Sequence, residues 1–150
     1  MGMEIGVLAV RRSILIKATP ERVWQEFESL ERMKLWFGTG HRLLRYEPKV
    51  GADVLLEVDI EGEARRFGGR ITVFEPPREV TWEDDWIPNQ GWAEPTFITL
   101  RLAPAVGGTL VELFHHGFER VGGDVADEHL GYEGGWTLRQ LEALRQLVEA

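Results

Sequence analysis

The fold of this chain is decided by its final stretch, ADEHLGYEGGWTLRQLEALRQLVEA (residues 126–150). Residues recur there at the three- and four-residue steps of one helix face. That face carries Leu130, Gly134, Thr137, Leu138, Leu141, Leu144, Arg145 and Val148. A glycine inside a helix costs about 1 kcal/mol relative to alanine, which suggests that bulk is unwelcome near Gly134. If this face packs on a sheet, its glycine end leaves room for a ligand; alternatively, the helix begins near Trp136 and the glycines belong to the preceding loop.

Length and composition predict the general class of the protein. A chain of 150 residues has the size of one domain, so we expect a single domain over residues 1–150. The net charge of −8 argues against nucleic acid or an anionic membrane as a partner, because both require a basic surface. The sequence has no cysteine, no signal-peptide pattern and no long apolar run. We therefore expect a cytoplasmic protein.

The pattern before the final helix predicts a strand, two short helices and then strands only. The first strand is expected at about Val7–Lys17, a helix after Thr19-Pro20-Glu21, and a second helix at about Leu30–Phe37. The further strands are expected at His41–Pro48, Ala52–Ile60, Glu63–Glu75, Glu79–Trp86, Pro95–Ala103 and Thr109–Phe118. Short links between neighbouring strands favour an antiparallel meander. The fold class is therefore α+β, a curved antiparallel sheet wrapped around a long C-terminal helix.

Five strings in the expected order resemble a known family. They are ATPERVWQEF (residues 18–27), LWFG (35–38), GGRITVFEPPREVTW (68–82), GGTLVELFHHGF (107–118) and GWTLRQLEAL (135–144). Together they resemble the START-like helix-grip superfamily, SRPBCC, and within it the branch named after the activator of a heat-shock chaperone's ATPase. The resemblance spans about residue 11 to the C-terminus. It implies a deep apolar cavity, which relatives use for lipids, hormones or polyketides; some relatives are cyclases or dehydratases.

The turns predict which residues face that cavity. If Glu61-Gly62 is a two-residue turn, Leu56 lies opposite Phe67 and Val54 opposite Gly69. Arg65 then lies near the rim, where it orients an anionic group or extends into water. A similar reading of the last hairpin places Leu100 opposite Val111, Ile98 opposite Leu113 and Thr96 opposite His115.

The expected ligand-binding residues come from these faces and from the tryptophans. They are Trp36, Phe37, Phe67, Ile71, Trp82, Trp86, Thr96, Ile98, His115, Gly134 and Leu138. Trp36, Trp86 and Trp92 either shield the mouth of a pocket or anchor core and loops. Trp136 lies off the predicted helix face, where it packs on the short helices or makes a homodimer contact.

We expect the chain to bind a small hydrophobic molecule, lipid- or polyketide-like, between the sheet and the final helix. One alternative is a cyclase or dehydratase in which His115, with Asp84, moves a proton. The other is a chaperone-associated interaction domain. We expect binding rather than catalysis, and no cofactor. We also expect no metal, because the adjacent His115 and His116 point to opposite faces of their strand.

Overall fold

A computed structural model describes residues 9–122 and 136–150, in which a strand, two helices, six strands and a final helix follow one another. The strands are β1 (Val10–Ile16), β2 (Arg42–Arg45), β3 (Asp53–Ile60), β4 (Glu63–Glu75), β5 (Glu79–Ile87), β6 (Thr96–Ala105) and β7 (Gly108–His116). The helices are α1 (Pro20–Trp24), α2 (Leu30–Phe37) and α3 (Arg139–Glu149), with 3-10 turns at Gln25–Phe27 and Phe118–Arg120. The predicted order of elements is confirmed. No helix in these two ranges is both long and apolar enough to cross a membrane.

The seven strands of the described ranges form one antiparallel sheet in the order β1-β7-β6-β5-β4-β3-β2. The register of the β3–β4 hairpin is confirmed, with Leu56 opposite Phe67 and Val54 opposite Gly69. The predicted register is correct because the turn of this hairpin has two residues, and the length of a hairpin loop determines which residues pair.

The register predicted for the β6–β7 hairpin is wrong by two residues. Ile98 pairs with His115 and Leu100 with Leu113, because the turn consists of Val106 and Gly107 alone. A shift of two residues leaves every side chain on its predicted face, since strand side chains alternate with a period of two.

Two consecutive glycines let β4 approach both of its neighbours closely. A Cβ at Gly68, which has φ +145°, would collide with the carbonyl oxygen of Val54 on β3. A Cβ at Gly69 would collide with the carbonyl oxygen of Glu83 on β5. The sheet therefore requires glycine at both positions, and β4 contributes no side chain to the interior at Gly69.

The two short helices begin at side-chain caps. The Thr19 hydroxyl accepts the backbone N–H of Arg22 at 3.2 Å, and the Ser29 hydroxyl accepts that of Arg32 at 3.2 Å. The second helix ends at Phe37, as predicted, and Phe37 is fully buried. This end of α2 brings Phe37 into the interior of the sheet.

The final helix begins later than its sequence pattern predicts. Residues 136–138 precede α3, Leu138 is 39% exposed, and Arg145 is exposed as well. The predicted inner positions of Leu138 and Arg145 are therefore wrong, and Gly134 lies outside the described residues. The helix buries its Leu141 and Leu144 side and packs against α2 and β1.

Candidate functional site

Alternate residues of β5, the middle strand of the sheet, line its concave face. Val80, Trp82 and Asp84 are fully buried, and Trp86 is partly buried. Because side chains alternate along a strand, these residues share the inner side and Glu83 faces the opposite side. An ionisable group, Asp84, therefore stands in the middle of an apolar surface.

Aromatic rings converge above this part of the sheet. We call them the aromatic cluster, which consists of Phe37, His41, Phe67, Trp82, Trp86 and Trp136. The Phe37 ring centroid lies 5.2 Å from that of His41 and 5.6 Å from that of Trp82. Both pairs are edge-to-face, an arrangement that aromatic quadrupoles favour. Phe37 therefore lies at the centre of the aromatic cluster.

A chain of hydrogen bonds crosses the interior beside the cluster and sets the tautomer of His115. Trp136 Nε1–H donates to His115 Nδ1 at 2.9 Å, and Thr96 Oγ1–H donates to the Asp84 carbonyl oxygen at 2.9 Å. The Thr96 proton is therefore used, so the 2.8 Å contact between Thr96 Oγ1 and His115 Nε2 requires the proton on Nε2. His115 is accordingly a neutral ring with its proton on Nε2, and both ring nitrogens are engaged.

The Asp84 carboxyl lies next to this chain but outside it. Neither carboxyl oxygen has a hydrogen-bond partner within the described part of the protein, although the side chain is completely buried. Oδ2 lies 3.8 Å from His115 Nε2, which is too long for a hydrogen bond, and that N–H is directed to Thr96. Burial raises the pKa of the Asp84 carboxyl well above its usual value, and the neighbouring Asp85 adds to the shift.

Two more buried polar atoms near Phe37 are unpaired within the described ranges. Trp82 Nε1–H has no acceptor there, and His41 Nε2 has no donor. Burial lowers the pKa of His41 to about 4, although its hydrogen bond with the Phe37 backbone opposes the shift. Since Nε2 is the unpaired atom, that bond uses Nδ1–H and leaves Nε2 as an acceptor. We call Asp84, Trp82 and His41 the unpaired groups.

The chain matches the model of the Activator of Hsp90 ATPase homolog 1-like protein family over residues 17–149. It belongs to this family. The resemblance stated from the five strings and the helix-grip fold are thereby confirmed. No curated protein matches the chain.

Solved structures of low sequence identity share the fold. A protein from Chromobacterium violaceum is 24% identical with a TM-score of 0.71, covering 95% of this chain and 98% of that one. The Aha1 dimer from Colwellia psychrerythraea is 20% identical with a TM-score of 0.65, covering 94% of this chain and 96% of that one. DynU16, a protein of the dynemicin biosynthetic locus, is 19% identical with a TM-score of 0.69; the match covers 95% of this chain and 48% of DynU16.

Most of the predicted site residues of this Activator of Hsp90 ATPase homolog 1-like chain lie on the concave side. These are Phe37, Phe67, Ile71, Trp82, Trp86, Thr96, Ile98 and His115. Trp36 is fully buried and donates from Nε1 to the Glu26 carbonyl oxygen at 3.0 Å, so it anchors the core and does not shield a pocket mouth. Leu138 is exposed, as described above, and Gly134 is not among the described residues.

Sequence reasoning missed the parts played by His41 and Trp136. His41 precedes β2. The only indication in the sequence was its position two residues before Leu43, which puts both residues on the same face of a strand. Trp136 was predicted to lie off the helix face, either packing on the short helices or making a homodimer contact; it lies before α3, so helical spacing does not apply to it. Its ring packs against Phe37, the last residue of α2, which agrees with the first alternative, and also against His41, which was not predicted.

The two adjacent histidines of β7 face opposite sides of the sheet, as predicted. His115 is fully buried, whereas His116 Nε2 contacts Thr99 Oγ1 at 3.0 Å and its ring stacks on Phe114. Across residues 9–122 and 136–150, no three side chains of the types that bind metals are grouped together.

A surface groove of about 280 Å³ lies at the rim of the concave face. Arg65 and Trp86 are among its lining residues. The Arg65 guanidinium is exposed and lies 3.5 Å from the Glu63 carboxylate. Trp86 is two residues from Asp84 on the same strand face, so the groove and Asp84 are about 7 Å apart along β5.

Proposed function

We propose that this protein binds a small, largely apolar molecule on the concave side of its sheet, between the aromatic cluster and Asp84. The observation that carries the proposal is the coincidence of the three unpaired groups with an aromatic interior. Small-molecule sites are mostly apolar with a few placed polar groups. The described part of this interior has that composition.

The energetic cost of the unpaired groups supports a binding role. A buried polar group without a partner costs about 1–3 kcal/mol, and native proteins contain few of them. Asp84 and Trp82 are fully buried, the Nε2 atom of the partly buried His41 is buried too, and the rings of Trp82 and His41 both contact Phe37. A ligand with polar atoms at these positions would recover that cost on binding.

Native mass spectrometry of freshly purified protein tests the proposal. We expect a mass higher than that of the polypeptide, and release of an apolar compound on denaturation. Phe67→Ala removes an inner-face ring next to Trp86 and should lower the occupied fraction. Phe97→Ala removes a ring that stacks on His116, on the outer face, and serves as the matched control. Equal occupancy in the two variants would place the ligand elsewhere.

A second candidate function is proton transfer in a cyclase or dehydratase. Sequence reasoning assigned the acid or base to His115, but Trp136 and Thr96 engage its two ring nitrogens. Both carboxyl oxygens of Asp84 are unengaged among the described residues, so in this candidate Asp84 transfers the proton. If the protein is a dehydratase, the compound released from Asp84→Asn should be heavier by one water molecule than that released from the wild type.

A homodimer is the protein partner that we propose to test, because a relative from Colwellia psychrerythraea is described as a dimer. Light scattering after gel filtration gives the mass directly. Retention of the protein on an immobilised Hsp90 chaperone, with no bound small molecule, would instead favour a chaperone-associated interaction domain.

A further inference from the structure

The residues around Asp84 leave both oxygens of its buried carboxyl group without a hydrogen-bond partner in the described part of the chain. On β6, its paired residue is Thr96, whose hydroxyl is used by the Asp84 carbonyl and by His115. On β4, the pairs Gly68–Asp85 and Ile71–Trp82 bring Gly69 beside Asp84, and glycine has no side chain to offer. A polar ligand atom at this carboxyl would therefore displace no hydrogen bond of the described residues.

No countercharge faces this carboxyl in the described interior. His115 is the nearest basic side chain, and its protonation would put an N–H on Nδ1, against the N–H of Trp136. His41, with a pKa of about 4, is neutral at physiological pH. The acid next to Asp84 in sequence, Asp85, disfavours ionisation further. Asp84 is therefore a neutral carboxylic acid, which donates a hydrogen bond through its O–H.

The chemistry of its neighbour on the same strand face indicates the complementary ligand atom. Trp82 lies two residues away on the inner side of β5, and its unpaired indole N–H, like the acid of Asp84, is a donor. Two donors on one face are matched by a group that only accepts. A carbonyl oxygen has two lone pairs and carries no charge into the apolar interior, whereas a carboxylate would carry one.

We propose that Asp84 donates a hydrogen bond to a carbonyl oxygen of the ligand, so that the site prefers apolar ketones to hydrocarbons, amines or carboxylates of the same shape. This inference rests on the proposed function, because it names the chemical class of the molecule bound there. The aromatic cluster packs against the apolar body of the ketone. Asp84 and Trp82 hold its oxygen.

Binding of a matched set of naphthalenes tests this selectivity. The probes are 2-acetylnaphthalene, 2-ethylnaphthalene, 1-(2-naphthyl)ethylamine and 2-naphthoate, titrated by calorimetry against the purified protein. We expect the ketone to bind about tenfold more tightly than the hydrocarbon, which corresponds to about 1.4 kcal/mol. Asp84→Leu should abolish this preference and still bind the hydrocarbon. Asp84→Asn should retain most of it, because the amide also donates, and the outward-facing Glu83→Gln should leave it unchanged.

The possible outcomes separate this inference from the proposed function. Equal binding of ketone and hydrocarbon, or tightest binding of the amine, would overturn the inference and leave a hydrophobic site in place. Failure of all four probes to bind would overturn both. The infrared carbonyl stretch of bound 2-acetylnaphthalene provides a second measurement on the wild type, which does not depend on the folding of Asp84→Leu. We expect it at lower frequency than in hexane; an unshifted band would contradict the hydrogen bond.

Discussion

The interior of this protein has two ends that contain the same residue types but differ in whether their buried polar atoms have hydrogen-bond partners. At the helix end, Trp36 Nε1 donates to the Glu26 carbonyl oxygen at 3.0 Å, and the Tyr46 hydroxyl donates to the Phe27 carbonyl oxygen at 2.7 Å. At the sheet end, Trp82 and Asp84 have no such partners within the described ranges. Both ends are fully buried, so burial alone does not distinguish them.

The same contrast holds for the buried acids. At the helix end, Glu26 Oε2 is hydrogen-bonded to and ion-paired with Arg22 at 2.8 Å, and Oε1, which has no hydrogen bond, lies 3.6 Å from the Arg32 guanidinium. Asp84 at the sheet end faces no countercharge among the described residues. Most buried polar groups in native proteins are paired, and buried charges are accompanied by countercharges. We therefore assign a structural role to the helix end and place the proposed binding site at the sheet end.

The largest expected effect comes from removing the centre of the structural core. Trp36→Ala should lower the free energy of unfolding by about 3–5 kcal/mol, because it leaves a cavity and a carbonyl without its donor. Urea unfolding measures the change. Leu35→Ala on the same helix is the control, since Leu35 is 56% exposed and should change stability by less than about 0.5 kcal/mol. Equal losses in the two variants would show that α2 does not anchor the core.

Residues near turns and caps made most of the fold predictable from sequence. The second helix (Leu30–Phe37) and the strand Glu63–Glu75 have the predicted bounds, because Ser29 caps the helix and Glu61-Gly62 sets the hairpin. The start of α3 was not predictable in this way. Its N-cap position is held by Leu138, which supplies no capping side chain, so the sequence carries no signal that separates residues 136–138 from the helix that begins at Arg139.

The candidate site was predictable only in part. Alternation along strands correctly placed Thr96 and His115 inside, and a two-residue register error did not change their face. The arrangement around them depends on Trp136 and His41, which come from distant parts of the chain and contact each other only after folding. Local pattern therefore gives the face of a residue, while its partners depend on tertiary packing.

The next prediction concerns the acid of the sheet end. The raised pKa means that folded Asp84 keeps a proton above pH 3.8, where the unfolded carboxyl has lost it. Its contribution to stability is therefore present below pH 3.8 and lost as pH rises towards the folded-state pKa. Relative to Asp84→Asn, the wild type should lose up to about 1.4 kcal/mol per pH unit. Urea unfolding between pH 4 and pH 7 measures this slope. The control variant, Glu83→Gln, should follow the wild type. If the free energies of unfolding of wild type and Asp84→Asn differ by the same amount at every pH, Asp84 is not a buried neutral acid.

His41 should produce a pH dependence of the opposite sign. Its pKa falls from 6.5 to about 4 on folding, so between these values the unfolded state binds the proton and the folded state does not. Stability therefore falls as pH falls through this window, by up to about 3 kcal/mol. His41→Phe should remove that loss, which acid unfolding followed by circular dichroism measures. The comparison variant is Asp84→Asn, which keeps His41 and should keep this loss of stability at low pH. The same acid unfolding curve for the wild type and His41→Phe would contradict the lowered pKa of His41.

The smallest effect gives the most direct comparison of the two ends, because one substitution can be made at both. Trp36→Phe and Trp82→Phe remove similar volumes from fully buried sites. Only the first removes a hydrogen bond and leaves the Glu26 carbonyl oxygen without that donor. Trp36→Phe should therefore cost about 1–2 kcal/mol more than Trp82→Phe in urea unfolding of the ligand-free protein. If a ligand carbonyl accepts from Trp82, the order reverses for affinity: Trp82→Phe weakens ketone binding, and Trp36→Phe leaves it unchanged. Equal costs at the two sites would mean that the indole N–H of Trp82 is paired in solution, and the contrast between the two ends would then no longer hold.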